Sequence, residues 1–424
     1  MERLPGFRDF YPEPLPTPDA WSAGAREQLF SAWRAVARRY RFSEYDGPPL
    51  EPLELYTTKS GAEIVGQLYH FVDQGGRAVA LRPEMTPTLA RMVAARERQY
   101  KKPMKWFALP QLFRYERQQK GRLREHFQFN ADIVGEADPA ADAELVALLI
   151  DLLRAAGLQS ADFVVRLSSR AVWQTFYAAH GSDADRAYDF YQAVDKLERE
   201  APETSEARFK SLGCSLAEVR AFIATSRPTP DLQTVIDNLT ARGLAEYVRV
   251  DYGVIRGLAY YTGIVFEAFD RQGEFRAIAG GGRYDNLVKL VSGGKVDLPA
   301  LGFGMGDVVL TQLLRERGRT QPCAPRLDLY CLIEDESVRP ETLRLIQQLR
   351  DAGCAVDFAL TPTKPDKQFK RALELAARQT LRLERTPDGT LSVRVKTLAT
   401  RAETVLRREE VLAHLRAQPA TGAA

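Results

Sequence analysis

Between Leu112 and Glu136 the chain reads LFRYERQQKGRLREHFQFNADIVGE. From Glu125 onward it alternates: His126, Gln128, Asn130 and Asp132 fall on one face, Phe127, Phe129, Ala131 and Ile133 on the other. That period of two is a strand with one apolar and one polar face. The polar face carries four different hydrogen-bonding side chains of middling length, the composition of a pocket floor more than of a solvated surface. Upstream, Arg114 and Glu116 sit on a shorter strand-like run, and the intervening loop brings Arg117, Lys120, Arg122 and Arg124. Such a cation cluster suits an anionic ligand or a nucleic-acid backbone, and equally a solvated basic loop.

Three further clusters carry chemistry. In LRPEMTPTLAR, Glu84 and Thr86 follow Pro83 at the entrance to a helical run. In RGLAYYTGIVFEAF, Arg256 precedes the paired Tyr260 and Tyr261, aromatics that serve a core as readily as a pocket. In AIAGGGRYDNLV, three consecutive glycines either let backbone approach a ligand closely or make a tight turn.

The elements that must position these residues read as several domains. At 424 residues the chain exceeds one ordinary core. With 45% hydrophobic and 27% charged residues it has an ordinary globular composition, and no apolar run is long enough to span a membrane. Its N-terminal stretch lacks the apolar segment of a secretory signal, so a cytoplasmic protein is expected. A net charge of +3 leaves nucleic-acid binding to local basic patches. Cys214, Cys323, Cys331 and Cys354 are scattered, without metal-ligand or disulfide spacing, so no metal site is expected. A helix is predicted between Asp19 and Tyr40, and strands alternate with short helices to about Ser168. A charge-rich helical insertion spans 169–248, strands resume in 249–320, and RERGRTQPCAPR reads as a linker. From 326 to 416 alternating strands and helices predict a small α/β domain.

Taken together and in this order, the four clusters resemble the histidyl-tRNA synthetases, a family of class II aminoacyl-tRNA synthetases. SEYDGPPLE, with Pro48, is similar to motif 1; LFRYERQQKGRLREHFQF is similar to motif 2 and its loop. RGLAYYTGIVFE and GGGRYDNL resemble the two histidine signatures. The resemblance covers nearly the whole chain. It implies an α/β (α+β) fold: an antiparallel class II catalytic core in two parts, 1–168 and 249–320, interrupted by the helical insertion and followed by an anticodon-binding domain.

What the resemblance implies for the site follows position by position. Histidine is met by Glu84, Thr86, Gln128, Asp132, Tyr260 and Tyr261. ATP is met by Arg114 at the α-phosphate, Arg122 at the outer phosphates and Glu116 on the adenine side. Arg256 and Arg114 are the catalytic cations, because an attacking carboxylate and a phosphate are both anions. Arg117, Gln118, Gln119 and Lys120 are expected at the tRNA acceptor end, and Lys364, Lys367 and Arg371, on one face of a C-terminal helix, against tRNA. Histidine, ATP with Mg2+ and histidine tRNA are the implied partners, and the implied assembly is a homodimer.

Two positions depart from the family pattern. Val309 in GFGMGDVVL stands where motif 3 normally carries an ATP-clamping arginine, with Arg283 and Arg91 as candidate replacements. Ala259 replaces an acidic residue. RGLAYYTGIVFEAFDR together with the GFG-type ending resembles the plant-organelle branch of the family, which makes Val309 a lineage variant. A catalytically silent, histidine-binding paralogue, the regulatory subunit of ATP phosphoribosyltransferase, is the rival reading; a synthetase-like RNA binder is the third. The C-terminal extension weighs against the regulator.

Overall fold

The computed structural model describes residues 2–60, 62–115, 123–180, 183–198, 200–256, 260–319 and 327–417. The chain divides into two compact units. One comprises Met1–Tyr11 and Asp19–Gln321; the other comprises Pro12–Pro18 and Pro322–Ala424.

The first unit is built on a nine-stranded sheet: β1 (Ser43–Glu44), β2 (Met104–Ala108), β3 (Gln111–Phe113), β4 (Glu125–Val134), β5 (Phe163–Ser169), β6 (Val248–Val250), β7 (Ile264–Asp270), β8 (Ala279–Arg283) and β9 (Ala300–Gly306). The order is β6-β5-β7-β8-β9-β4-β2-β1, with β3 paired to the outer half of β4. All neighbours are antiparallel except the outermost pairs β5–β6 and β1–β2.

One face is sealed by helices. The helix Ala140–Ala155 (AADAELVALLIDLLRA) is apolar nearly all round and almost wholly buried, as expected of a helix sandwiched between a sheet and other helices. Ala23–Arg39 packs beside it through Phe30, Trp33, Val36 and Ala37 and starts at Ser22, whose Oγ accepts from Ala25 N at 3.0 Å. Against these helices β4 turns Phe129, Ala131 and Ile133, and β9 turns Leu301, Phe303 and Met305. The sheet is therefore amphipathic in the sense its alternation predicts, with the opposite face left for polar side chains.

Between β5 and β6 the described residues form five α-helices, Arg170–Ala179, Ala187–Lys196, Pro202–Ser211, Leu216–Thr225 and Pro230–Ala241. Trp173 nucleates their packing against Phe176, Phe190 and Phe222, and its indole N–H donates to Tyr252 O at 3.0 Å. That bond ties the start of the helical segment to the chain returning toward β7.

The second unit has a five-stranded sheet in the order Val356–Phe358, Leu329–Cys331, Gln379–Arg385, Leu391–Thr397, Glu403–Leu406; the first three are parallel and the last two join antiparallel. Helices Arg339–Asp351 and Pro365–Glu374 follow the first two parallel strands in sequence. Gln368 is buried but satisfied, its amide bonding both the N–H and the C=O of Ile333 at 2.9 and 2.7 Å. No helix among the described residues is long and apolar enough to cross a membrane.

Candidate active site

On its open face the first unit's sheet floors a cleft of about 990 Å³. The floor exists because side chains are missing from it. Register places Gly302 opposite Asp132, Gly304 opposite Asn130 and Gly306 opposite Gln128, with Gly280 next to Gly304 and Glu267 beyond. A Cβ at Gly302 would overlap Asp132 Oδ1, and one at Gly304 would sit 2.6 Å from the Gln128 amide carbon; at Gly280 it would overlap the Arg256 guanidinium. Each glycine thus leaves room for one polar side chain to lie flat on the sheet.

Arg114 and Arg256, from segments 142 positions apart, both reach the wall of this cleft. Arg114 continues the β3–β4 hairpin, its N–H bonding Arg124 O at 2.9 Å, and its Nε donates to Pro83 O at 3.0 Å. Arg256 ion-pairs through Nη1 with Glu267 and lies 5.7 Å from the centre of the Tyr261 ring. Burial alone would lower its pKa, but the fields of Tyr261 and Glu267 and the bonds they make raise it, so the cation is fixed in place and charged. Its Nε–H is buried with no partner among the described residues, a donor left over. The backbone there is left-handed, φ +60°, which costs a non-glycine residue roughly 1–3 kcal/mol and is seen mostly where structure overdetermines it. Arg170, the first residue of the helical segment, supplies that constraint: Nη1 donates to Arg256 O at 2.8 Å and to Ile255 O at 3.3 Å, with its guanidinium 3.7 Å from the Tyr191 ring centre.

Of the residues expected around an amino acid, Glu84, Thr86, Gln128, Tyr260 and Tyr261 line the cleft. The Tyr260 hydroxyl donates to Glu84 Oε2 at 3.2 Å. Thr86 opens the helix Thr86–Arg96, with Pro87 behind it in the first turn. Asp132 is placed differently from the expectation. It is buried one step beyond the open space, under Gly302, and accepts a hydrogen bond from the Tyr284 hydroxyl. Its surroundings are dry because Tyr45, Trp106 and Tyr284 crowd this end of the sheet, and burial pushes its carboxyl up to about 7 despite the Tyr284 bond. His126 does line the cleft; burial, with Arg114 and Arg8 nearby, pushes its imidazole down to about 3, so it is neutral.

Glu116, Arg117, Gln118, Gln119, Lys120 and Arg122 lie outside the described residues, as does Ala259. Neither suggested replacement for the arginine absent at Val309 reaches the cleft. Arg283 is drawn to the far side, bonded to Glu136 O, Asp138 O and the buried Asp142, and Arg91 is paired with Glu51 at 2.7 Å. Val309 itself does line the cleft. In the second unit Lys364, Lys367 and Arg371 are exposed on the helix Pro365–Glu374, and Arg371 pairs with Glu374 at 3.4 Å. A smaller cavity there, about 420 Å³, takes the neighbouring face instead, Asp366, Phe369, Lys370 and Leu373.

Three contributors escaped the sequence reading. Arg8 is buried between Glu125 at 2.7 Å and Asp307 at 2.8 Å, and Asp307 also accepts from Phe127 N at 3.0 Å. This cluster pins the entry of β4 to the helix that follows β9. Arg166, which stacks on Phe269 and is 3.5 Å from both Glu198 and Asp251, and Arg276, on the loop before β8, also line the cleft. No local spacing announces any of them, since each acts across strands.

Asp132 yields a test of the site's electrostatics. Its folded pKa lies above the ordinary 3.8, so between about pH 4 and 7 the folded state holds a proton that the unfolded chain has lost. Stability from this group therefore falls as pH rises through that window and is lowest above 7. Asp132→Asn removes the cost, so the Tm of the variant minus that of wild type should become more positive by several degrees from pH 4 to pH 8. A difference in Tm independent of pH would show that Asp132 is not the titrating group.

The first unit, a largely antiparallel sheet backed by helices on one face, has the fold of the class II aminoacyl-tRNA synthetases. The sequence profile described as histidyl-tRNA synthetase matches residues 17–307, and the chain belongs to that family. A histidine–tRNA ligase of Opitutus terrae is 44% identical over 98% of this chain and 98% of its own. The chloroplastic/mitochondrial histidine–tRNA ligase of Arabidopsis thaliana is 37% identical over 92% of this chain and 82% of its own. The crystal structure of histidyl-tRNA synthetase from Nostoc sp. PCC 7120 shares the fold, with a TM-score of 0.73 at 21% identity, over 95% of this chain and 99% of that one.

Proposed function

We propose that the protein joins histidine to histidine tRNA in two steps. The observation that carries this reading is the convergence of Arg114 and Arg256 on one cleft that also holds Glu84, Thr86 and Gln128. In the first step a histidine carboxylate oxygen bonds to the α-phosphorus of ATP as the bond to the β-phosphate oxygen breaks, releasing pyrophosphate. Arg114 and Arg256 offset the negative charge that gathers on the phosphoryl oxygens. Glu84, steadied by Tyr260, holds the substrate ammonium; Gln128, Tyr261 and the Tyr284–Asp132 pair serve the imidazole end. In the second step the terminal ribose hydroxyl of the tRNA attacks the acyl carbon, and AMP leaves.

Mg2+ enters this reading with the nucleotide. Among the described residues no group of three or more metal-ligating side chains is present, and Glu267 is taken by Arg256, so phosphate oxygens are its natural ligands and no step is assigned to it here. The unit from 326 to 416 is read as the anticodon-binding part, with Lys364, Lys367 and Arg371 toward RNA. Glu116 and Arg122 are read as further ATP contacts, and Arg117, Gln118, Gln119 and Lys120 as acceptor-end contacts. A cytoplasmic homodimer completes the proposal.

Histidine-dependent ATP–pyrophosphate exchange followed by charging of histidine tRNA is the expected result. Histidine binding without exchange would point to a silent regulator, and RNA binding alone to a synthetase-like RNA binder. The charging step should lose efficiency when Lys364, Lys367 and Arg371 are changed together to glutamine, with exchange unaffected. A parallel fall in exchange would remove the RNA-contact assignment for these three residues.

A further inference from the structure

We propose that Arg170 is a positioning residue for adenylation, through which the helical segment after β5 holds Arg256 in its reactive pose. The inference rests on the ligase reading and extends it to a residue outside the cleft.

The connection from β6 to β7 carries Arg256, Tyr260 and Tyr261, and Arg170 grips it at both ends. Its main-chain N–H donates to Gly263 O at 2.8 Å, where the connection meets β7, while its Nη1 serves Ile255 O and Arg256 O. Neighbouring bonds hold the same stretch. Asp251 N donates to Leu167 O at 2.9 Å, and Tyr252 is held at its carbonyl by Trp173 and through its hydroxyl, which donates to Arg227 O at 2.6 Å. The backbone from 251 to 256 is thus moulded by β5 and the helical segment. Inside that mould Arg256 takes φ +60°, a conformation an arginine keeps only where its surroundings impose it.

The side chain of Arg170 does more than fill space. It is buried, and taking a guanidinium out of water is costly unless its N–H groups are satisfied. Two of the bonds it makes go to the carbonyls of the proposed catalytic arginine and of the residue before it. Its guanidinium also lies on the ring of Tyr191, from the second helix of the segment, 3.7 Å from the ring centre. Neither Arg170 nor Tyr191 lines the cleft, so both act on the reacting groups through Arg256. The Arg256 guanidinium lies over Gly280 with no room for a Cβ beneath it, so a small rotation of the backbone at 256 displaces its donors from the phosphoryl oxygens.

The test uses the full chain and compares wild type with Arg170→Met, Arg170→Lys, Tyr191→Leu, Arg256→Met and the double variant Arg170→Met with Arg256→Met. The measurements are kcat and KM for histidine in ATP–pyrophosphate exchange, and deuterium uptake of peptides covering 251–256. Arg170→Met should lower kcat by about 10- to 100-fold, with KM for histidine within about threefold of wild type. Deuterium uptake over 251–256 should rise, with that over β9 unchanged. Arg170→Lys restores a donor to the carbonyls and should recover part of the rate; Tyr191→Leu should show a smaller loss of the same kind. In the Arg256→Met background, Arg170→Met should cost less than about twofold more, because its effect travels through the side chain already removed. A kcat for Arg170→Met within about twofold of wild type, a rise in KM for histidine matching the fall in kcat, or losses that multiply in the double variant would each overturn the assignment. Should Arg170→Met fail to fold, Arg170→Lys and Tyr191→Leu, each combined with Arg256→Met, decide by the same rule. If wild type gives no exchange, the ligase reading fails, and unchanged deuterium uptake over 251–256 in Arg170→Met would still remove the positioning role.

Discussion

Arg256→Met is expected to slow histidine-dependent ATP–pyrophosphate exchange by about 10²- to 10³-fold, the range for removing one preorganised donor from a developing oxyanion. KM for histidine should change less than about threefold, because the proposed role puts the guanidinium where charge grows and not where the amino acid is first held. The size of the expected loss follows from how the residue is held. Glu267 and Tyr261 keep it charged, Arg170 clamps its strained backbone, and its Nε–H has no partner among the described residues. None of that preorganisation serves packing alone. Arg256→Lys should recover a minority of the rate, since an ammonium restores charge but not the fork. Equal losses in rate and in histidine affinity would move Arg256 from catalysis to substrate binding.

The second large effect separates two glycines on one floor. Gly302→Ala places a methyl against Asp132 and 2.8 Å from Ala131 O, where a buried sheet cannot yield. Histidine affinity should fall by about 1.4 kcal/mol or more, tenfold or greater, because the carboxylate and Tyr284 must move together. Gly280→Ala instead strikes the end of Arg256, so it should depress exchange kcat more than histidine affinity. Measuring KM and kcat for both variants decides the point. If both substitutions lower the same parameter in the same proportion, the floor does not divide into amino-acid and phosphoryl ends.

Much of this geometry was legible beforehand, for a physical reason. The alternation in β4 survives folding because the apolar residues have helices to meet and His126, Gln128 and Asn130 have a cleft, so Phe129, Ala131 and Ile133 are buried where periodicity put them. The triple glycine was visible, but not its task, because that depends on Arg256 and on the residues of the adjacent strands that face it. For Asp132 parity gives a face, and only the pairing with Gly302 and the bond from Tyr284 give the distance from solvent. Arg8 and Asp307 are separated by almost the whole first unit, and no local pattern links charges that meet only after folding. Arg283 looked available as a free cation beside the glycines; its partner Asp142 lies on a helix on the opposite side of the sheet.

The residues at 280, 302 and 304 have already been reduced to hydrogen, and no protein side chain is smaller. Mutation at those positions can make the chamber shallower, never deeper. Drift toward a bulkier amino-acid substrate is thus closed along this direction, and any widening has to come from other lining side chains such as Tyr260 and Tyr261.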